Sequence, residues 1–271
     1  MTVVETSGLT GVEPRLCGRG ISVGYDDRVV LSALDVEIPT GELTVIVGPN
    51  GCGKSTLLRA LARMLPVRTG TVELDGAPIG DYPTRQVARR LGLLPQSPTA
   101  PDGITVTDLV ARGRYPHQGI FRQWSEADAV AVEEAMHRAG VTDLADRQVS
   151  QLSGGQRQRV WIAMALAQQT PILLLDEPTT YLDIAHQVEV LRLARSLQRD
   201  GYTVVVVMHD LHLAFRYATH LLVMQAGRIV AQGDPSEIVT AQLIEDVYGL
   251  PCRVLADPET GRPLVIPAGD E

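Results

Sequence analysis

The chain has 271 residues, 45% hydrophobic and 21% charged, with 24 Lys and Arg against 32 Asp and Glu and a formal net charge of -8. This length supports one large domain or two small ones with a core that needs no disulfides, and the balance of apolar and charged residues excludes a wholly disordered chain. The acidic excess disfavours binding by phosphate neutralisation, so no nucleic-acid partner is expected. Three cysteines, Cys17, Cys52 and Cys252, are too few and scattered for a disulfide framework or a clustered zinc site, and point to a reducing, cytosolic compartment. The first twenty residues lack the basic start and apolar run of a signal peptide. The apolar runs at 172–175 and 204–208 fall far short of the ~20 residues of a membrane span.

Residues 1–15 are polar, carry Gly and Pro, and read as a flexible leader. Strand-like pieces at 20–23 and 29–36 follow. Leu43–Val47 is a short apolar run entering a Gly-rich turn, the pattern of a strand buried in a parallel sheet. The spacing predicts a helix over 54–65, with Leu57, Leu58, Leu61 and Leu65 on one face. Residues 71–74 and Asp75-Gly76 read as strand and turn. From about 98 to 169 the pattern is helical, at 105–112, 126–139 and 156–169, and reads as an insertion. Apolar strands return at 172–175 and 203–207, separated by a helix over 184–199. Residues 221–224 and 228–231 form a hairpin. A C-terminal tail, 251–271, holds a candidate second hairpin, 253–255 with 263–266, whose role is open between packing and regulation. Strands alternating with helices give an α/β fold class with a largely parallel central sheet.

Gly48-Pro49-Asn50-Gly51-Cys52-Gly53-Lys54-Ser55-Thr56 lies between the predicted strand and helix and fits the phosphate-loop pattern of Gly, four residues and Gly-Lys-Ser/Thr. Glycines let successive backbone N–H groups curl into one hollow, and the helix start adds the positive end of its dipole. Lys54 is then the group that reaches the β- and γ-phosphates, and Ser55 the Mg²⁺ ligand. Cys52 reads as a small filler, with a redox role as the alternative. Lys54 is also the sole lysine of the chain. A compact ammonium and a planar guanidinium are not interchangeable, so its retention there fits the same reading.

Ile172-Leu-Leu-Leu-Asp176-Glu177 is an apolar strand ending in two acids. Asp176, expected at the sheet's C-terminal edge beside the phosphate loop, can hold Mg²⁺ through water, and Glu177 is the candidate general base for an attacking water. Alone, such a pair is an ordinary solvated turn; the phosphate loop gives it its chemical reading. Leu152-Ser153-Gly154-Gly155-Gln156 carries a helix capping box, Ser153 with Gln156, and is also an exposed anion site.

In this order the phosphate loop, LSGGQ with Arg157-Gln-Arg159, and LLLDEP resemble the ATP-binding cassettes of ABC transporters, over about residues 20–233. The resemblance implies an ATPase domain over 16–250, with a P-loop NTPase core, an N-terminal antiparallel β part and the helical insertion. It implies ATP and Mg²⁺ as cofactors. It gives Tyr25 to adenine stacking, Gln96 to Mg²⁺ contact and signalling to a membrane subunit, Asp183 to a dimer-interface loop, and His209 to the γ-phosphate. Locally, Tyr25 also reads as a turn residue, Asp183 as a helix cap and His209 as a strand-end histidine. In the family Ser153 and Gly155 of one copy meet the γ-phosphate held by another, so a head-to-tail homodimer is implied. So are two membrane permease subunits near Gln96 and the insertion, an extracytoplasmic binding protein, and a peripheral place on the cytoplasmic face of the membrane.

Arg114-Tyr-Pro-His-Gln-Gly119, Phe121, Gln123-Trp124 and Thr179-Thr-Tyr-Leu-Asp-Ile-Ala-His-Gln187 resemble, more narrowly, the cassettes of ferric-siderophore importers, with haem and cobalamin importers as near relatives. A soluble cassette ATPase of cofactor assembly or repair is the other reading left open.

Overall fold

The computed structural model describes residues 4–5, 14–119 and 124–269. Phe121, Gln123 and most of residues 1–15 lie outside the described residues. The chain divides into two compact units, Met1–Asp81 with Thr203–Glu271, and Tyr82–Tyr202.

In the first unit five strands run in the order Val4–Glu5, Arg228–Gly233, His220–Gln225, Leu43–Val47 and Thr203–Val207. All neighbours are parallel except the hairpin of His220–Gln225 with Arg228–Gly233. Leu43–Val47 and Thr203–Val207 are buried along their whole length. A parallel strand covered on both faces has no side that can stay polar, which is why these segments, apart from Thr44 and Thr203, are apolar rather than alternating. Val4–Glu5, within the stretch read as a leader, pairs with Ala231 and Gln232.

A second, antiparallel sheet of this unit is ordered Arg28–Ile38, Leu16–Tyr25, Thr69–Leu74, Ala77–Pro78. Its strands are longer than the pieces expected at 20–23 and 29–36. Register shifts between Gly18 and Ile21 and beyond break the period-2 pattern that would have revealed them. The helix predicted over 54–65 ends sooner, at Lys54–Leu61. Arg63 adopts a left-handed φ of 58°, and the N–H groups of Met64 and Leu65 return to the Arg59 carbonyl. Pro66 disfavours helical backbone at Leu65, so the apolar period outruns the helix. Near the C-terminus, Cys252–Ala256 pairs antiparallel with Pro263–Pro267. Arg216, in the helix Leu211–Tyr217, bonds Asp257 at 3.1 Å and also Glu259, tying the hairpin's turn to that helix.

The second unit holds a parallel pair, Leu91–Leu94 with Ile172–Asp176, and the helices Val106–Ala111, Glu126–Arg138, Gly154–Ala167 and Ile184–Arg199. Its polar centre is Arg114. This guanidinium is 4% exposed and donates to Asp128 at 2.9 Å, to the Ala167 carbonyl at 2.7 Å and to the Gln169 amide oxygen at 2.8 Å. Hydrogen bonds from Ser125, then from Arg114, hold the Asp128 carboxyl below the usual carboxylate range against the opposing pull of burial. Arg85 and Arg89 both donate to the Pro116 carbonyl, at 2.7 and 2.8 Å. The described part of the importer-like run, 114–119 with Trp124, is therefore anchored at its start by buried charge, while Tyr115 and Trp124 remain exposed. No helix among the described residues is long and apolar enough to cross a membrane.

Removing one member of a buried ion pair costs about 3–5 kcal/mol because the other charge is left unpaired. Arg114→Met should thus sharply lower the thermal midpoint followed by circular dichroism, and adding Asp128→Leu should recover part of the loss.

His220, buried at the start of its strand, has its pKa lowered to about 4 by desolvation, against the pull of Asp234. Between about pH 4 and 6.5 the unfolded chain binds this proton and the folded chain does not, so stability falls as pH falls through that window. The loss attributable to His220 approaches about 3 kcal/mol at its lower end. Urea titrations at pH 7 and 4.5 should show a smaller pH-dependent loss in His220→Gln than in the parent.

Candidate nucleotide site

In the first unit, the phosphate loop leaves the buried strand Leu43–Val47 and enters the helix Lys54–Leu61. Gly48, Gly51 and Gly53 have φ of 152°, 74° and 108°, values that L side chains rarely adopt. Gly48 also has no room for a side chain: a Cβ there would lie 2.2 Å from the Met224 carbonyl oxygen and 2.8 Å from the Cys52 sulfur. Lys54 is 5% exposed, and its Nζ donates to the carbonyls of Gly48 at 2.7 Å and Pro49 at 3.1 Å. The ammonium is thereby held across its own loop. Asn50 and Gly51 are exposed at the tip. Cys52 is buried, its carbonyl accepts from Gly227 at 2.9 Å, and burial chiefly raises its thiol pKa. That fits the filler reading, since a reactive thiol needs exposure and a lowered pKa.

Tyr25 ends the strand Leu16–Tyr25 beside a two-residue turn, opposite Arg28, and is 43% exposed. Its local reading as a turn residue and its ability to offer a ring face are compatible. His209 is exposed just beyond the strand Thr203–Val207. The next residue, Asp210, caps the helix Leu211–Tyr217 by accepting from Leu213 at 2.9 Å.

In the second unit, Asp176 is 1% exposed at the end of its strand. Glu177 follows with φ 52°, a strained left-handed position for a non-glycine residue. Its Oε2 accepts from the Gln96 amide at 2.6 Å and from the Thr180 hydroxyl at 3.2 Å. The structure thus joins two expected site residues, Gln96 and Glu177, and adds Thr180. Ser153 caps the helix Gly154–Ala167 in a complete capping box: its Oγ accepts from Gln156 N at 3.3 Å, and its N–H donates to Gln156 Oε1 at 3.2 Å. A hydroxyl accepting in this way still has a proton to donate outward. Ser153 and Gly154 are exposed there, where the helix dipole favours an anion.

Asp183 caps the helix Ile184–Arg199, accepting from His186 N at 2.9 Å and pairing with His186 Nδ1 at 2.6 Å. These bonds hold its carboxyl below the usual range. Thr180 and His186 were not among the residues singled out by sequence. Both lie in the run 179–187, whose pattern marks it as unusual without saying which side chains turn inward.

A profile of the ABC transporter family matches residues 31–180. The chain belongs to that family. It is 56% identical over 256 residues to the ferric enterobactin transport ATP-binding protein FepC of Escherichia coli K12, covering 94% of each chain. It superposes on an inward-facing ABC transporter described as of metal-chelate type with a TM-score of 0.80 at 28% identity, covering 94% of this chain and 98% of the other. The dimeric post-hydrolysis structure of the cassette MJ0796 with ADP and phosphate gives a TM-score of 0.71 at 27% identity, over 81% of this chain and 98% of that one. The expected α/β cassette fold, with an antiparallel N-terminal part and helical segments, is the fold found, its sheet being mixed. As an ABC ATPase, this cassette binds ATP and couples its hydrolysis to transport.

Lys54→Ala should weaken nucleotide binding by at least ~10-fold, the scale of a lost charge-assisted hydrogen bond, read with a fluorescent ATP analogue. Lys54→Arg should not restore it, because a guanidinium cannot occupy the ammonium's place between the two loop carbonyls.

Proposed function

We propose that this cassette powers the import of a ferric siderophore through two membrane permease subunits, at the cytoplasmic face of the membrane. The observation that carries the reading is the 56% identity with the FepC transport protein along 94% of both chains. The importer-like runs 114–124 and 179–187 support it. A substrate-binding protein outside the membrane would deliver the cargo, and selectivity would lie there and in the permease. Haem and cobalamin importers are the nearest alternatives.

Tyr25 would stack on adenine, while the amides of the loop Gly48–Thr56 and the Lys54 ammonium take the phosphates. Ser55 and, through water, Asp176 would hold Mg²⁺, with Gln96 in contact. Their hard oxygens suit that ion, which keeps waters and substrate phosphates in its shell rather than an all-protein cage. When bound, Mg²⁺ neutralises charge on the phosphates. Glu177 orients the attacking water and accepts its proton, and Lys54 and His209 stabilise charge on the transferring phosphoryl group. Ser153, Gly154, Gly155 and Gln156 act from the second copy, with Asp183 at the interface between copies. Tyr181 and Ile184, 96% and 71% exposed beside Asp183, are apolar surface of the kind a partner covers. The Gln96–Glu177 bond supplies a direct route by which a permease touching Gln96 reaches the base.

Glu177→Gln should bind ATP with near-parental affinity but turn over at least ~100-fold more slowly. Tagged Glu177→Gln, drawn from gently solubilised native membranes with ATP and Mg²⁺, should bring down a multi-span membrane protein at about one per cassette. Recovery of soluble partners alone would overturn the proposed permease partnership.

A further inference from the structure

His186 lies against the LSGGQ helix start as well as the Asp183 loop. A Cβ built on Gly155 would sit 2.2 Å from its Cδ2 and 2.6 Å from its Cγ, so the imidazole fills the space that a side chain at position 155 would take. On its other edge Nδ1 meets Asp183 Oδ1 at 2.6 Å, and the backbone N–H of the same residue reaches that oxygen at 2.9 Å. An ionised carboxylate only accepts, so Nδ1 carries the proton. One side chain therefore spans two segments separated in sequence: Gly155, at the helix start that follows Ser153, and Asp183, at the start of the next helix. Arg159 and Glu189, 3.9 Å apart, join the same two helices further along.

We propose that His186 is a positioning residue that fixes the Asp183 carboxylate relative to Gly155, so that both present themselves to a second cassette as one preformed surface. This rests on the dimer reading above. An imidazole hydrogen-bonded on one edge and packed on the other has little rotamer freedom left to lose. Without it, Asp183 and the glycine turn would have to be ordered separately as the two copies close, and closure would bear that entropy. Its contacts with Gly155 and Asp183 involve no residue proposed to hold nucleotide in the same copy, so nucleotide binding by a single cassette should be independent of it.

The test uses the full chain in the Glu177→Gln background, where slowed hydrolysis should let ATP-bound dimers accumulate. Size-exclusion chromatography with light scattering follows dimerisation against ATP concentration, and a fluorescent ATP analogue reports binding to the monomer. His186→Ala should leave monomer binding within about twofold of the parent and raise the ATP needed for half-maximal dimer by ~10-fold, the scale of a lost hydrogen bond to a charged group. His186→Asn places an amide nitrogen where Nδ1 stood and should recover most of that loss. His186→Phe keeps a ring over Gly155 but has no donor, and should not recover it. Parental dimerisation by His186→Ala, or equal recovery by Phe and Asn, would overturn the proposal. So would loss of monomer nucleotide binding in His186→Ala, which would make the residue a general scaffold. If Glu177→Gln alone fails to dimerise with ATP, the dimer reading falls first and takes this inference with it.

Discussion

Everything at the phosphate end of this cassette depends on one close approach. Where the strand Leu43–Val47 ends, Gly48 lies so near the Met224 carbonyl of the adjacent strand that no Cβ fits. The neighbouring strand is held at that distance by the sheet itself, since Val223 pairs with Val47 one residue earlier. Relieved of a side chain, the backbone takes a φ open only to glycine and swings out of the sheet. Gly51 and Gly53 complete the turn, and the hairpin that contributes Met224 also anchors the loop from the far side, through the Gly227 N–H on the Cys52 carbonyl. The hairpin His220–Gln225 with Arg228–Gly233 carries none of the site residues, yet it decides where the loop goes.

In the second unit, two of the groups that cap helices are also groups proposed for the chemistry. Ser153 and Asp183 each satisfy orphan N–H donors at a helix start while facing solvent. Capping leaves room for the roles proposed for them. A capping hydroxyl has a proton to spare, and a capping carboxylate has a second oxygen, so one residue serves both ends.

What could be read in the sequence was whatever is local or continuous. Leu43–Val47 and Thr203–Val207 announce themselves because burial on both faces leaves them apolar except for one threonine each, Thr44 and Thr203. The phosphate loop and the capping box occupy nine and four consecutive residues, so their chemistry sits in one window of sequence. Hidden were the interactions that close over long separations. Gln96 meets Glu177 across 81 residues, and Arg114 meets the Ala167 carbonyl across 53. Leu91–Leu94 was missed because three leucines and a glycine between Arg90 and Pro95 do not establish a period. The helices Leu211–Tyr217 and Ala241–Tyr248 span two turns, too little for a helical repeat to emerge. His186 was invisible for a further reason: its significance depends on the absence of a side chain at Gly155, and sequence does not record which cavity a glycine leaves for whom.

The burial of Lys54 has a chemical corollary. Amine-directed reagents, from activated esters to pyridoxal phosphate, have one lysine to find in this protein, and it is the one folded over the phosphate loop. Acylation there would demand that the ammonium first leave the Gly48 and Pro49 carbonyls and lose its proton. Read as the stable adduct at Lys54 and separated from that at the N-terminal amine, its labelling rate becomes a clock for opening of the loop, obtained without introducing any probe, in a chain whose guanidinium groups and imidazoles keep no stable adduct of these reagents.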